Sequence, residues 1–148
     1  MSKAEGAGFE FLDEVTSDVT FLARGASLED LFAEAAAALL SVTLEQPQAL
    51  EACERRPVRL AEPDLELLLL RFLNELIYLR DAEGLLLRAA RLRIASDPGN
   101  AVLEGELEGE RIDRSRHALA ADVKAATAHA LCVRRGPEGW SARVTLDV

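Results

Sequence analysis

A wide apolar stripe in the middle of the chain constrains the fold more than any other feature. From residue 64 to residue 79, apolar side chains recur at helical spacing, at Leu65, Leu68, Leu69, Phe72, Leu73, Leu76, Ile77 and Leu79. Pro63 suits the first position of this helix, and Gly84 is placed to close it. Asp64 and Glu66 favour its positive N-terminal end. Because so wide a stripe needs cover on most of its circumference, the sequence predicts the most buried helix of the domain here.

A second helical pattern precedes this one, and strand patterns surround both. Ser27 and Asp30 form a capping box at the start of an apolar stripe made by Leu28, Leu31, Phe32, Ala35, Leu39 and Leu40. Period-two or strand-like runs cover residues 9–12, 19–24, 49–60, 85–95, 101–108, 122–134 and 140–146. This order predicts an α+β fold for a single domain, residues 1–148: a mixed β-sheet with two main helices packed on it.

The charge balance limits the classes of partner. Acidic residues outnumber lysine and arginine 26 to 17, which gives a net charge of −9. Nucleic acids are gripped by clustered basic side chains, so direct nucleic-acid binding is not expected. No apolar run approaches the length of a membrane span, and residues 1–8 lack a signal-peptide pattern. Cys53 and Cys132 form no Cys-x-x-Cys motif and are expected to be buried free thiols in a reducing compartment, with a disulfide between them as the less favoured alternative. These features favour a soluble, cytoplasmic protein.

Three aspartates lie at the boundaries of predicted strands. Asp18 stands between the first two strand patterns, Asp122 opens a later one and Asp147 closes the last. A lone aspartate at such a boundary usually serves a turn, and only the combination argues for a site. The side chain of Asp147 also lies next to the α-carboxylate of Val148. Hard oxygen donors of this kind hold Ca²⁺ or Mg²⁺, so we expect a metal site if the three strand ends converge.

The two histidines offer a rival site. His117 and His129 could bind Zn²⁺, but no cysteine or histidine lies at finger-like spacing from them. His129 falls on the apolar face of an alternating strand and is expected in the core, whereas His117 is expected at the surface. The sequence has no Gly-x-Ser-x-Gly motif and no phosphate-binding glycine loop. Neither cysteine has a basic neighbour that would lower its pKa. Local motifs therefore give no support for catalysis.

Taken in order, these segments resemble the archease family over nearly the whole chain. The resembling stretches are the opening strand and its following block at residues 9–19, the helices at 25–36 and 64–79, residues 109–113 with His117, the string Val-Lys-Ala-Ala-Thr-Ala-His at 123–129, the Gly-Trp pair at 139–140, and Leu-Asp-Val at 146–148. The string at 123–129, combined with the closing Asp-Val, is the most specific part.

Archeases are protein cofactors of the RtcB-type RNA ligase, which joins RNA ends in tRNA splicing and RNA repair. The resemblance implies that this chain is not an enzyme but an activator that promotes guanylylation of the ligase and multiple turnover. The family's acidic metal site carries over to Asp18, Asp122 and Asp147, with the carboxylate of Val148 as a further ligand. Ca²⁺ is expected first, with Mg²⁺ or Mn²⁺ as alternatives.

The chain departs from the family pattern at three positions. Asp122 stands where many relatives have glutamate, Val15 replaces the usual histidine, and Ser17 replaces the usual alanine. Two other functions stay open. A general protein chaperone would need an exposed apolar patch of several hundred Å², for which the sequence offers no surplus of aromatic residues. A metal-dependent hydrolase could use the three carboxylates, but the sequence offers no evident general base.

Overall fold

The computed structural model describes residues 7–15 and 18–148, except for the side chains of residues 13–15. In this part of the chain, two helices lie among seven strands: β1 (Gly8–Val15), β2 (Asp18–Gly25), α1 (Leu28–Thr43), β3 (Glu54–Glu62), α2 (Leu65–Glu83), β4 (Leu85–Asp97), β5 (Asn100–Arg111), β6 (Ala125–Gly136) and β7 (Gly139–Asp147). A short 3-10 turn, Pro47–Ala49, follows α1.

The strands form two antiparallel sheets instead of the single mixed sheet that we expected. The first has the order β1-β2-β7-β6 and the second the order β3-β5-β4. All their pairings are antiparallel. The reason is the connections: β4–β5 and β6–β7 are joined by tight turns, and only two residues separate β1 from β2 in the sequence, and so short a connection can join antiparallel strands only. The α+β class and the two packed helices are confirmed.

Both helices begin and end where local chemistry dictates. Ser27 caps α1 by accepting a hydrogen bond from a first-turn amide at 3.1 Å, as the capping box predicted. Asp64 caps α2 by accepting from the amide of Leu67 at 2.8 Å. Pro63 therefore precedes the cap, and the prediction that it opens the helix was wrong, because proline has no side-chain acceptor to serve the first turn. Gly84 ends α2 with φ +67°, a conformation that favours glycine.

The helices pack against both sheets and join them through one core. Phe32 of α1 and Phe72 of α2 are fully buried, and their ring centroids lie 5.8 Å apart. Phe21 and Val144 of the first sheet and Leu103 of the second belong to the same apolar cluster. The wide stripe of α2 is buried as predicted. None of the helices in the described part of the chain is both long and apolar enough to cross a membrane.

Strand β6 begins three residues later than its sequence pattern suggested and is interrupted. Thr127 pairs with Thr145 of β7, but the next pair joins Cys132 to Arg143, so four residues of β6 lie opposite one residue of β7. Within this bulge Ala130 has φ +53°. The bulge breaks the predicted alternation and changes the direction of the side chains that follow it.

Candidate metal centre

Asp18 and Asp147 face each other across the first sheet. They are register partners, the first residue of β2 and the last of β7. Directly opposed residues of antiparallel strands point to the same face, with Cβ atoms about 4.5–5.5 Å apart. Their neighbours Val19 and Leu146 are buried in the core. By alternation, both carboxylates therefore lie on the face of the sheet that is turned away from the helices.

The last residue and the segment before β6 lie beside this pair. The amide of Lys124 donates a hydrogen bond to the main-chain oxygen of Asp147 at 2.8 Å, and Ala125 is the register partner of Asp147. Val148 is half-buried and packs against the core. Val148 therefore lies beside Asp147 at this sheet end, and a metal ligand role for its α-carboxylate stays a prediction.

Asp122 is held by an arginine. Its carboxylate lies 3.4 Å from Nη2 of Arg80, and its side chain is 85% exposed. The same Nη2 donates to the main-chain oxygen of Val123 at 2.6 Å and lies 2.8 Å from Asp81. Arg80 therefore fixes the segment that leads into β6 against the last turn of α2. Asp122 and Arg80 also line an open cleft of about 500 Å³.

The structure thus brings together some of the predicted ligands. It pairs Asp18 with Asp147 and places Val148 next to them, while the carboxylate of Asp122 contacts Arg80. The described residues do contain three side chains whose ligand atoms lie within 4.8 Å of one another. These three side chains belong to other residues, at the end of β5, and not to the predicted aspartates. A metal site at Asp18, Asp122, Asp147 and Val148 stays a prediction. Ser17 and the side chain of Val15 lie outside the described residues.

The chemistry of the aspartate pair suits a hard divalent cation. Its donors are carboxylate oxygens, and the next row of the same face carries hydroxyl groups. Thr20 Oγ1 and Thr145 Oγ1 lie 3.0 Å apart, and Thr127 Oγ1 donates to the main-chain oxygen of Thr145 at 3.1 Å. Like charges directly opposite each other across a sheet are destabilising. A cation between Asp18 and Asp147 would remove that repulsion.

A second cluster of candidate ligands surrounds the end of β5. Glu51, Cys53 and Glu110 each place one ligand atom within 4.8 Å of the others. The first two lie in the loop before β3. This loop is held on β5 because the amide of Glu51 donates to Glu110 Oε2, and that of Cys53 to the oxygen of Gly109, both at 2.8 Å. Sequence analysis missed this cluster, since its members come from distant segments and match no spacing motif.

Glu110 is a buried carboxylate at the centre of this cluster. Its side chain is only 6% exposed, and Nη1 of Arg116 lies 2.5 Å from Oε1. The hydrogen bond from Arg116 is the main reason that the pKa of Glu110 is lowered to about 2, and the amide of Glu51 adds to it against the opposing effect of burial. The carboxylate is therefore ionised throughout the physiological range.

Both histidines are placed contrary to expectation. His117 is buried, and its Nδ1 accepts a hydrogen bond from the amide of Asp113 at 2.8 Å. His129 is exposed in the bulge of β6, where its amide lies 3.4 Å from Thr127 Oγ1. A tight turn at Asp113–Arg116 folds His117 back over Glu110, and the bulge turns His129 outward. Neither feature is visible in hydrophobic periodicity.

The thiols are free in the structure, as predicted, but neither is buried as expected: Cys53 is exposed and Cys132 is half-buried. Desolvation, and then the negative charges of Glu51 and Glu110, raise the pKa of the Cys53 thiol. It is therefore a weak nucleophile at neutral pH. Nearby, the hydroxyl and amide of Ser115 donate to Asp113 and lower the pKa of that carboxyl.

Comparisons with known proteins agree with the fold. Residues 9–148 match the model of the Archease protein family (MTH1598/TM1083). The chain is 34% identical over 136 residues to protein archease of Pyrococcus furiosus, covering 91% of this chain and 95% of that protein. A solution structure of protein 1598 of Methanobacterium thermoautotrophicum superposes with a TM-score of 0.81 at 34% identity, over 95% of this chain and 99% of the other. A crystal structure of an archease from Thermotoga maritima, described as a possible chaperone, shares the fold with a TM-score of 0.59 at 20% identity, over 93% of this chain and 95% of that one.

Proposed function

The chain belongs to the archease family, and from this premise we propose that it is a non-catalytic activator of an RtcB-type RNA ligase in tRNA splicing and RNA repair. It promotes guanylylation of the ligase and permits multiple turnover. The proposal is supported by the family match over residues 9–148 and by relatives that are 30% and 35% identical. It is also supported by the acidic pair Asp18 and Asp147, whose like charges stand directly opposite each other on neighbouring strands.

The observation that carries the proposal is the register of Asp18 opposite Asp147. Neither side chain makes a hydrogen bond or an ion pair with another residue in the described part of the chain. Two uncompensated carboxylates directly opposite each other lower the stability of the sheet, so a role in holding the sheet together does not explain them. Their arrangement is suited to receiving a cation.

Each residue has a defined task in such a site. Asp18 and Asp147 hold the ion from two neighbouring strands, and Val148 adds its α-carboxylate. Asp122 joins when it leaves Arg80, from which it is 3.4 Å away. Ca²⁺ is our first choice of ion, with Mg²⁺ or Mn²⁺ as alternatives. When bound, the ion supplies a fixed positive charge of the kind that neutralises phosphate oxygens in phosphoryl transfer.

The partner is a protein and not the RNA itself. With a net charge of −9, the chain repels a phosphate backbone. Binding the ligase beside its nucleotide would bring the acidic pair to where positive charge is required. We expect the two proteins to meet in the cytoplasm, where Cys53 and Cys132 stay reduced.

The test is multiple-turnover ligation by an RtcB-type ligase with the protein added in substoichiometric amount. We expect Asp147→Asn to abolish stimulation, because one of the two facing carboxylates is lost. The matched control is Asp97→Asn, which changes the same chemical group at the end of β4 in the other sheet. Stimulation by Asp147→Asn equal to that of the wild type would refute the proposal.

A general chaperone is the alternative, since the Thermotoga maritima relative is described as a possible chaperone. Among the described residues, the exposed large apolar side chains are Phe11, Leu67 and Tyr78. Leu67 and Tyr78 are eleven positions apart on α2, about 16 Å along its axis, and Phe11 lies on β1. Among the described residues, three such side chains on two elements offer little apolar surface for unfolded chains. Suppression of aggregation in unrelated proteins would favour this alternative.

A further inference from the structure

We propose that Glu51, Cys53 and Glu110 form a Zn²⁺ site, positioned by His117, which is separate from the aspartate pair on β2 and β7. The proposal does not depend on ligase activation. Zn²⁺ is intermediate between hard and soft cations and suits a site with a sulfur donor, whereas the aspartate pair offers oxygen donors alone.

The spacing of the three ligands is close to that of a zinc site. All ligand atoms lie within 4.8 Å of one another, and Cys53 Sγ is 3.9 Å from Glu51 Oε1. In a tetrahedral zinc site with the usual bond lengths, neighbouring ligands are about 3.3–3.8 Å apart. A contraction of at most about 1.5 Å would therefore complete the coordination by three protein ligands, leaving the fourth position to water.

His117 is the second observation that points to a bound cation. Its side chain is 5% exposed, and Nε2, although 3.3 Å from Glu110 Oε2, has no hydrogen-bond partner in the described part of the chain. Because Nδ1 accepts from the amide of Asp113, Nε2 carries the proton of the neutral ring and is a buried donor without an acceptor. A small rotation of the Glu110 carboxylate towards a cation would let Oε2 accept a hydrogen bond from Nε2. Hydrogen bonds of this kind orient metal-binding carboxylates.

The guanidinium of Arg116 shows that Glu51 and Glu110 already stabilise a positive charge between them. The guanidinium bonds Glu110 and lies 3.9 Å from Glu51 Oε1. The side chain is 44% exposed, so it can withdraw into water and give up its place to Zn²⁺. Coordination by Cys53 replaces the thiol proton, which passes to the buffer, and no oxidation or reduction is involved.

The experiment is titration of the reduced, full-length protein with Co²⁺, a spectroscopic substitute for Zn²⁺. A thiolate bound to Co²⁺ gives an intense near-ultraviolet charge-transfer band, which a site made only of oxygen ligands cannot produce. We expect one equivalent of this band in the wild type, its loss on addition of Zn²⁺, and its absence in Cys53→Ser. The matched control is Cys132→Ser, which removes the other thiol, on β6 in the first sheet.

Two substitutions of His117 test its positioning role. The amide N–H of His117→Gln reaches the position of Nε2, whereas the shorter side chain of His117→Asn can accept from the Asp113 amide at the position of Nδ1 but places no donor at the position of Nε2. We expect the Asn variant to bind Co²⁺ about 10-fold or more weakly, with the thiolate band retained at saturation, and the Gln variant to recover most of the affinity. A band that persists in Cys53→Ser, or no band in the wild type, would overturn the site. Asp147→Asn should leave the band unchanged, which separates this result from the proposed function.

Discussion

At the scale of single residues, one buried carboxylate should contribute more to stability than any of the surface ion pairs. Pairs such as Arg24–Glu10 and Arg59–Glu104 are largely exposed, and exposed pairs contribute about 0–1 kcal/mol each. Glu110, by contrast, is shielded from water and bonded by Arg116 and by the Glu51 amide. Its protonation would leave a buried network without its central acceptor.

Glu110 should therefore make stability depend on acid pH. The pKa of Glu110 is lowered from 4.5 to about 2 in the folded protein. Its contribution to stability is thus complete above about pH 4.5 and is lost as the pH falls towards 2. The hydrogen bond from Arg116 is the main cause of this shift and the Glu51 amide adds to it, while His117 Nε2 faces the same carboxylate at 3.3 Å. In Glu110→Gln we expect the unfolding free energy to lose this dependence on pH. The dependence corresponds to the uptake of roughly one proton per molecule at most on unfolding.

The measurement is urea unfolding in the presence of a chelator at several acid pH values, followed by the fluorescence of Trp140, the only tryptophan. Glu138→Gln, in the exposed β6–β7 turn, is the control and should keep the wild-type slope. Equal pH dependence of the wild type and Glu110→Gln would contradict the prediction.

Single residues also show which features of the site could be predicted from the sequence and which could not. The caps Ser27 and Gly84 were predictable because their chemistry acts on the next few residues. The burial of His117 was not, because it depends on a turn that lays the ring over a strand from elsewhere in the chain. Asp18 and Asp147 were identified as candidate ligands from their position at strand ends and from the family resemblance, but their exact opposition is a matter of register.

At the scale of elements, periodicity predicted the helices well and the sheets poorly. The stripes of α1 and α2 are buried as expected, since a helix shows its buried face within its own sequence. Strand partners are chosen across the chain, so neither the division into two sheets nor the bulge of β6 could be read locally. The β4–β5 hairpin was predicted from its Asp-Pro-Gly-Asn turn, although both strands are longer than their patterns.

The β4–β5 pair contains a close approach that only glycine permits. A Cβ atom at Gly109 would lie 1.8 Å from the main-chain oxygen of Leu86, which cannot move without shifting β4. We expect Gly109→Ala to destabilise the protein by more than the ~1–3 kcal/mol typical of overpacking. Gly136→Ala is the matched control, because its Cβ would meet nothing closer than 3.9 Å. We expect that control to stay within about 0.5 kcal/mol of the wild type. Equal urea midpoints for the two variants would exclude the close approach.

At the scale of the whole molecule, two sheets joined by one core place two different donor sets in separate regions. The aspartate pair lies at the open end of β2 and β7 in the first sheet. The cluster of Glu51, Cys53 and Glu110 lies at the end of β5 in the second. Hard cations prefer the first set and borderline cations the second. The two sites should therefore respond to different metals and to different substitutions.

The thermal midpoint of the metal-free protein should rise with Ca²⁺, and this rise should depend on the aspartate pair. Ligand that binds only the folded state at 100 times its Kd stabilises it by about 2.7 kcal/mol, or roughly 5–10 °C for a chain of this size. Asp147→Asn should lose this rise. It should be no less stable than the wild type without metal, because it removes one of two facing charges. Loss of the response is then a loss of binding and not of folding. Asp97→Asn and Cys53→Ser should keep the full rise in differential scanning fluorimetry. An equal Ca²⁺ response in Asp147→Asn would place the ion elsewhere on the molecule and remove the physical basis for a cation at this sheet end.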